Sequence, residues 1–144
     1  MSQMSDYLEN KLVDHIFRSA SFAKPSFLFV GLLTAAPSDS SPGTEVSGGS
    51  YARVQRDPSD ANWEATQGGV VGASSGTTGL TQNFAAITFP VPSAFWGQVT
   101  HLAIFDAASG GNMLLYGTLT QPKTINNGDP APSFAPGQLD VIFA

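Results

Sequence analysis

An all-β fold, a jelly-roll-like β-sandwich carrying one N-terminal α-helix, is predicted by three observations. Beyond residue 24 the chain falls into short runs of branched and aromatic residues. Turns separate those runs, drawing on 15 glycines and 10 prolines. Near the start, one stretch places its apolar residues at helical spacing instead. A length of 144 residues suits one domain with a real core. The expected division is a helical arm over residues 1–23 and a sandwich over 24–144.

The helix comes first. Asp6 with Glu9 three residues on reads as a capping box, and Leu8, Leu12 and Ile16 follow at spacings of four. Val13 and Phe17 widen the stripe, so contact along more than one face is expected. The helix should end between residues 19 and 23, because the residue before Pro25 is pushed out of helical geometry. A helix of about three turns is marginal alone in water, so it needs a sheet or a partner chain.

Strands are expected at "FLFVGLLT" (27–34) and at the alternating "SYARVQR" (50–56), with "NWEAT" (62–66) pairing to the latter. "FAAITFPV" (84–91) carries Pro90 near its end, which suits an edge. "QVTHLAIFD" (98–106), "ASGGN" and "MLLYGTL" (113–119) form the clearest hairpin, with Gly110 and Gly111 at positive-φ positions. At the C-terminus, Leu139, Val141 and Phe143 alternate with Asp140 and Ile142. Seven or eight short strands result. The Gly/Ser/Thr-rich stretch 68–83 reads equally as a flexible linker and as a loop ordered against a neighbour.

Composition narrows the function. Charged residues make up 12% of the chain, against about 25% for an average soluble domain. Hydroxyls, amides and glycine, or a neighbouring protein, must therefore cover much of the surface. The six basic residues are scattered and the net charge is −5, which leaves no basic stripe for nucleic acid. With no cysteine, disulfides, thiolate catalysis and cysteine-bound zinc are out. No apolar run approaches 20 residues and the start lacks a signal-peptide pattern, so cytoplasmic synthesis and no membrane span are expected.

The stretch "GTEVSGGSYARV" (43–54) raises the question of a ligand-cradling loop. A phosphate loop needs its glycines between a strand and a helix N-terminus, often with a lysine. This stretch has no lysine, carries Glu45, and leads into a strand-like pattern. It reads as a long β-connection.

The wording of "PSFLFVGLLTAAPSD", "GTEVSGGSYARV" and "NFAAITFPVPSAFWGQVTHLAIFDAASGGNMLLYGTLTQPKTINNGD" closely resembles a family of small tailed-bacteriophage virion proteins, labelled tail-fibre-like or head-decoration proteins. The likeness spans nearly the whole chain, "SDYLENKLVDHIFR" included. The segment 55–69 is longer than the family pattern and 129–137 is richer in proline. The resemblance implies a non-enzymatic structural role in the virion and names no active site. Within that class the expected role is a capsid cement or decoration protein that binds the assembled head and stabilises it, since no coiled-coil or repeated-fibre pattern is present, with a tail-fibre or baseplate protein in host recognition as the alternative. A carbohydrate-binding module is a third reading. The expected partners are a second copy of the chain, as dimer or trimer, and the major capsid protein, with no nucleic acid, membrane or cofactor.

The residues themselves offer little catalysis. His101 and Asp106 lie five apart in one strand and so face opposite sides, and no GxSxG elbow is present. Most of the eleven acids sit in caps or turns, and no pair is set apart as a glycosidase would need. "DPSDAN" (57–62) has oxygen ligands for calcium but lacks the glycine and glutamate of an EF-hand loop, so a turn is expected. Trp63, Phe95 and Trp96 remain, and if one of the adjacent pair faces the core the other faces out. No catalytic, metal or cofactor residue is assigned. The expected interface residues are Leu8, Leu12, Ile16, Phe17, Phe95 and Trp96, with the edge strand at 84–91 beside them.

Overall fold

The computed structural model describes residues 2–66 and 72–143. Its elements run β1 (Ser2–Met4), α1 (Asp6–Phe17), β2 (Phe29–Ala35), β3 (Thr44–Glu45), β4 (Val54–Gln55), β5 (Leu80–Gln82), β6 (Ile87–Thr88), β7 (Gly97–Phe105), β8 (Met113–Ile125), β9 (Ser133–Phe134) and β10 (Asp140–Ile142). Six strands form one antiparallel sheet in the order β1-β8-β7-β2-β3, with β4 also on β2. The ribbons β10-β5 and β6-β9 form the facing layer. This is an all-β sandwich with a single N-terminal helix, the class the sequence predicts.

The long hairpin β7–β8 is the frame, and Gly110 and Gly111 sit at φ +60° and +70° in its turn, as expected. Alternation then decides the core. In register, Val30 lies opposite Ile104, Leu32 opposite Leu102, and Ile104 opposite Leu115. That face packs on Ile87, Phe89, Leu139 and Val141 from the ribbons. The other face carries a smaller cluster of Leu33, Ala103, Phe105, Met113 and Tyr116. Asn83, fully buried, joins the ribbons. Its amide donates to the Ala85 and Ala135 carbonyls, and its oxygen accepts from the Gln138 and Leu139 N–H groups. All four of its hydrogen-bonding positions are thereby used.

Several local expectations are corrected. The N-cap is Ser5 rather than Asp6: Ser5 Oγ accepts the Leu8 N–H at 3.3 Å and donates to the Met113 carbonyl. The helix stops at Phe17, and the chain turns back as the Phe22 N–H donates to His15 Nδ1 at 3.0 Å. Only one side of the helix is held. A strand before it, β1, pairs with Leu115–Gly117 of β8, which the sequence did not announce.

The run 50–56 keeps only Val54–Gln55 as strand. The reason is a side chain in place of a ladder bond: the Leu32 N–H donates to the Tyr51 hydroxyl at 2.8 Å, in the gap between β3 and β4 along β2. The segment 62–66 turns to β5 instead, with Trp63 bridging Asn83 and the Glu64 N–H donating to the Gln82 carbonyl. Of the stretch 84–91 only Ile87–Thr88 is strand, paired with β9. Residues 68–71 of the expected loop lie outside the described residues; Leu80–Gln82 at its end is strand β5.

Candidate interaction surface

Two surfaces are built on this frame, a pole of interlocked loops and the free end of the helix. The pole answers the question raised by "GTEVSGGSYARV". Gly48, Gly49 and Ser50 all adopt left-handed backbone, Ser50 at φ +64°, and the Tyr51 N–H closes the turn on the Gly48 carbonyl at 2.9 Å. The Gly49 carbonyl then accepts both the Ser93 N–H at 3.0 Å and Trp96 Nε1 at 2.9 Å. The Ser50 and Ser93 hydroxyls meet at 2.7 Å. From the other side, the Gly128 N–H donates to the Pro92 carbonyl at 2.9 Å. The loop is a clasp on the turn 92–96, not a ligand cradle.

Only glycine fits at position 49, since a Cβ there would stand 2.8 Å from Trp96 Nε1 and 2.9 Å from the Ala94 Cβ. Gly49→Ala is expected to destabilise by about 2 kcal/mol, from left-handed strain plus that clash. Gly48→Ala meets nothing within 4 Å and should cost about half as much. Chemical denaturation of the two variants checks this difference.

Below the clasp lies an ion pair. Arg53 Nε and Nη2 reach the two Glu45 oxygens at 2.8 and 2.7 Å. Its Nη1 donates to the carbonyls of Ala107 at 2.6 Å and Gly110 at 2.9 Å. The guanidinium lies 3.5 Å above the Phe105 ring. Tyr51 donates its hydroxyl to Glu45 at 2.8 Å. Glu45 is thus consumed inside the fold.

Burial pushes the Tyr51 phenol above its ordinary range, and the Glu45 charge adds to that. Tyr116, hydrogen-bonded to the Asp39 carboxylate, is pushed up to about 12 by that bond first and by burial second. For both, the neutral phenol is favoured by the fold. Their contribution to stability is complete below the ordinary value of 10.0 and is lost as pH rises through the folded values. Stability should therefore fall from about pH 10 toward pH 12, and Tyr116→Phe should flatten that fall. Denaturant midpoints across this range test it.

The adjacent aromatics divide as anticipated. Trp96 is 4% exposed and Phe95 65% exposed. Leu8, 7% exposed, is likewise in the core, and Leu12 is half-buried against it. Leu8 and Trp96, expected at an interface, therefore face inward. Ile16 at 64% and Phe17 at 80% stand in water, three and four residues from exposed Val13. Trp63, half-buried, donates its indole N–H to the Arg56 carbonyl at 3.1 Å.

Beside the helix base lies a groove of about 390 Å³, with Leu8, Phe22, Pro25, Leu28 and Trp63 among its walls and Lys24, Asp60 and Glu64 also lining it. Its apolar depth was invisible in the sequence, because those residues come from separate segments. A second space of about 420 Å³ lies between the layers, lined by Leu102, Leu119 and Phe134 among others.

Among the described residues, the side chains singled out for catalysis do not come together. His101 contacts Thr100 at 2.8 Å, while Asp106 accepts from the Asn112 N–H and side-chain amide, each at 2.7 Å. The stretch 57–62 is a turn, in which Asn62 donates to the Asp57 carbonyl and Gln55 to the Asp57 carboxylate. Among the described residues, no three His, Asp or Glu gather as a metal cluster, and no helix is long and apolar enough to cross a membrane.

In this small β-sandwich the polar side chains brace loops, and apolar side chains stand exposed at a helix end and a loop tip. The chain belongs to the family described as "Podophage GP4 fiber I protein gp80", matched over residues 3–142. It is a phage structural protein, a component of the virion. No curated protein matches it.

Proposed function

We propose that the protein acts without catalysis, as a subunit that docks on the assembled virion and stabilises what it binds. The observation carrying this is the group of large apolar residues left in water, Val13, Ile16 and Phe17 at the helix end and Phe95 at a loop tip among them. Exposed apolar groups of this size on a low-charge surface mark contact sites. A protein that binds only the assembled particle stabilises it by mass action, and many weak copies sum to a strong hold.

Two positions follow from the same chemistry. As a capsid cement, the chain would bridge copies of the major capsid protein on the head. The absence of a coiled-coil or rod-like repeat in the described residues supports that position. As a tail-fibre subunit, it would serve attachment to the host, which the word "fiber" in the family description supports. Electron microscopy of purified virions with a gold-labelled antibody tests both. Label in many copies over the heads supports the cement position, and label at the tail supports the fibre. Virions without label overturn the structural reading.

A further inference from the structure

We infer that the space between the two layers binds a single-chain amphiphile, an alkyl chain ending in an anionic head group. The register of the large sheet builds the site. Ser2, Gly117, Leu102 and Leu32 pair across four strands, so they form one row on the inner face. The next row is Met4, Leu115, Ile104 and Val30, all bulky and apolar. A serine beside a glycine leaves the first row with a gap.

Further along β8 the hairpin strands fall out of step. Val99 pairs with Lys123 and His101 with Thr118, so five residue steps on β8 answer two on β7. A bulge bends the strand that carries it, and β1 reaches no further along β8 than Gly117. The facing layer is only two ribbons of two strands each. Between them remains a space of about 420 Å³, within the roughly 300–1,000 Å³ of ligand pockets.

Its lining has two parts. Val99, Ile104, Ile125, Leu139 and Val141 form a buried aliphatic floor, with Leu119 and Phe134 half-buried beside it. The polar lining residues, among them Thr120, Gln121, Lys123 and Ser133, are exposed. The space therefore opens to water at its polar end. An aliphatic cavity holds water poorly and takes apolar guests. A sugar ring suits it badly, because hydroxyls carried to that floor would lose water and gain no partner.

Charge selects the head group. Lys123 forms no ion pair among the described residues, whose salt bridges are Arg18–Asp14 and Arg53–Glu45. Asp140, the one acid on the lining, already accepts a hydrogen bond from the Gln82 side-chain amide. An ammonium without a partner at the mouth of an apolar space favours an anionic head over a neutral one. The site does not depend on where the protein sits in the virion.

The test is calorimetric titration of the full chain with octanoate, decanoate and dodecanoate, each below its micelle concentration, and with decanol. Affinity is expected to rise about fourfold per methylene until the space is full, and then to level. Lys123→Gln should weaken the carboxylates about two- to fivefold and leave decanol unchanged. Gly117 lies in strand backbone, without the left-handed φ of the turn glycines, so the backbone there accepts a side chain. Gly117→Val should fill the gap and weaken decanoate at least about tenfold, with no loss in unfolding temperature. Gly117→Ala, the smaller filler, should weaken it part of the way.

No binding of any of the chains overturns the inference. So does affinity indifferent to chain length, or decanoate binding that both fillers leave unchanged. Binding to phosphatidylglycerol vesicles without binding of the free chains would place the contact at a bilayer surface and also overturn it. Virion labelling is independent of all these outcomes, so the site can fail while the docking role stands.

Discussion

Arg53→Ala is expected to remove about 3–5 kcal/mol of stability, the usual consequence of breaking one half of a buried ion pair. Arg53 is almost wholly buried and fully engaged, with two bonds to Glu45, two to the carbonyls of the β7–β8 turn, and the Phe105 ring beneath it. Its removal leaves Glu45 little exposed without its countercharge and strands two carbonyls. It also uncouples β3 and the stretch before β4 from the hairpin turn, more than 50 residues further along the chain. The measurement is the urea midpoint at unchanged slope. Replacing Glu45 and Arg53 together by apolar residues of similar volume should cost less than losing the arginine alone, since no orphan charge remains. A loss under about 1 kcal/mol for Arg53→Ala would mean the pair behaves as a solvated surface bridge, contrary to its burial.

The second large effect separates two neighbours. Trp96→Ala is expected to destabilise by about 3–5 kcal/mol, as deletion of a buried aromatic does. The ring stands edge-on to Tyr51, with centroids 5.3 Å apart and planes at 85°, and its indole N–H is half of the clasp on the Gly49 carbonyl. Phe95→Ala, one residue earlier, should stay within about 0.5 kcal/mol, because an exposed side chain loses little that the fold needs. Thermal unfolding of the two variants reads the contrast directly. If Phe95→Ala proved as damaging as Trp96→Ala, the assignment of Phe95 to the surface would fail.

How much of this was legible depends on the range of the interaction. The β7–β8 hairpin was plain because its signal is local: alternating apolar residues on both sides of a Gly-Gly turn. The helix was plain in existence and blurred at its ends. Asp6 and Glu9 imitate a capping box, and Ser5 won because its hydroxyl also meets the Met113 carbonyl, a contact 108 residues away in sequence. The strand expected at 50–56 was mostly lost for a similar reason. Tyr51 uses its hydroxyl on β2 where a backbone carbonyl would have served, and no periodicity encodes that substitution. Of the six expected interface residues, helical spacing picked out Leu8, Leu12, Ile16 and Phe17, and adjacency in a turn picked out Phe95 and Trp96, but neither signal tells which would be covered.

The class of this protein is written in local pattern: a β-sandwich with one leading helix, low in charge, without thiol or catalytic pattern, and like a phage virion family in its wording. These are properties of composition and short-range period, which each segment carries alone. Which apolar residues are core and which are surface is settled by the folded arrangement. Leu8 and Trp96 went inside, and Ile16, Phe17 and Phe95 stayed out. It also closed Glu45 onto Arg53, and it assembled a groove from residues 8 to 63 and beyond. Burial and charge pairing are set by whichever segments happen to meet, and that meeting is fixed by the whole sheet at once.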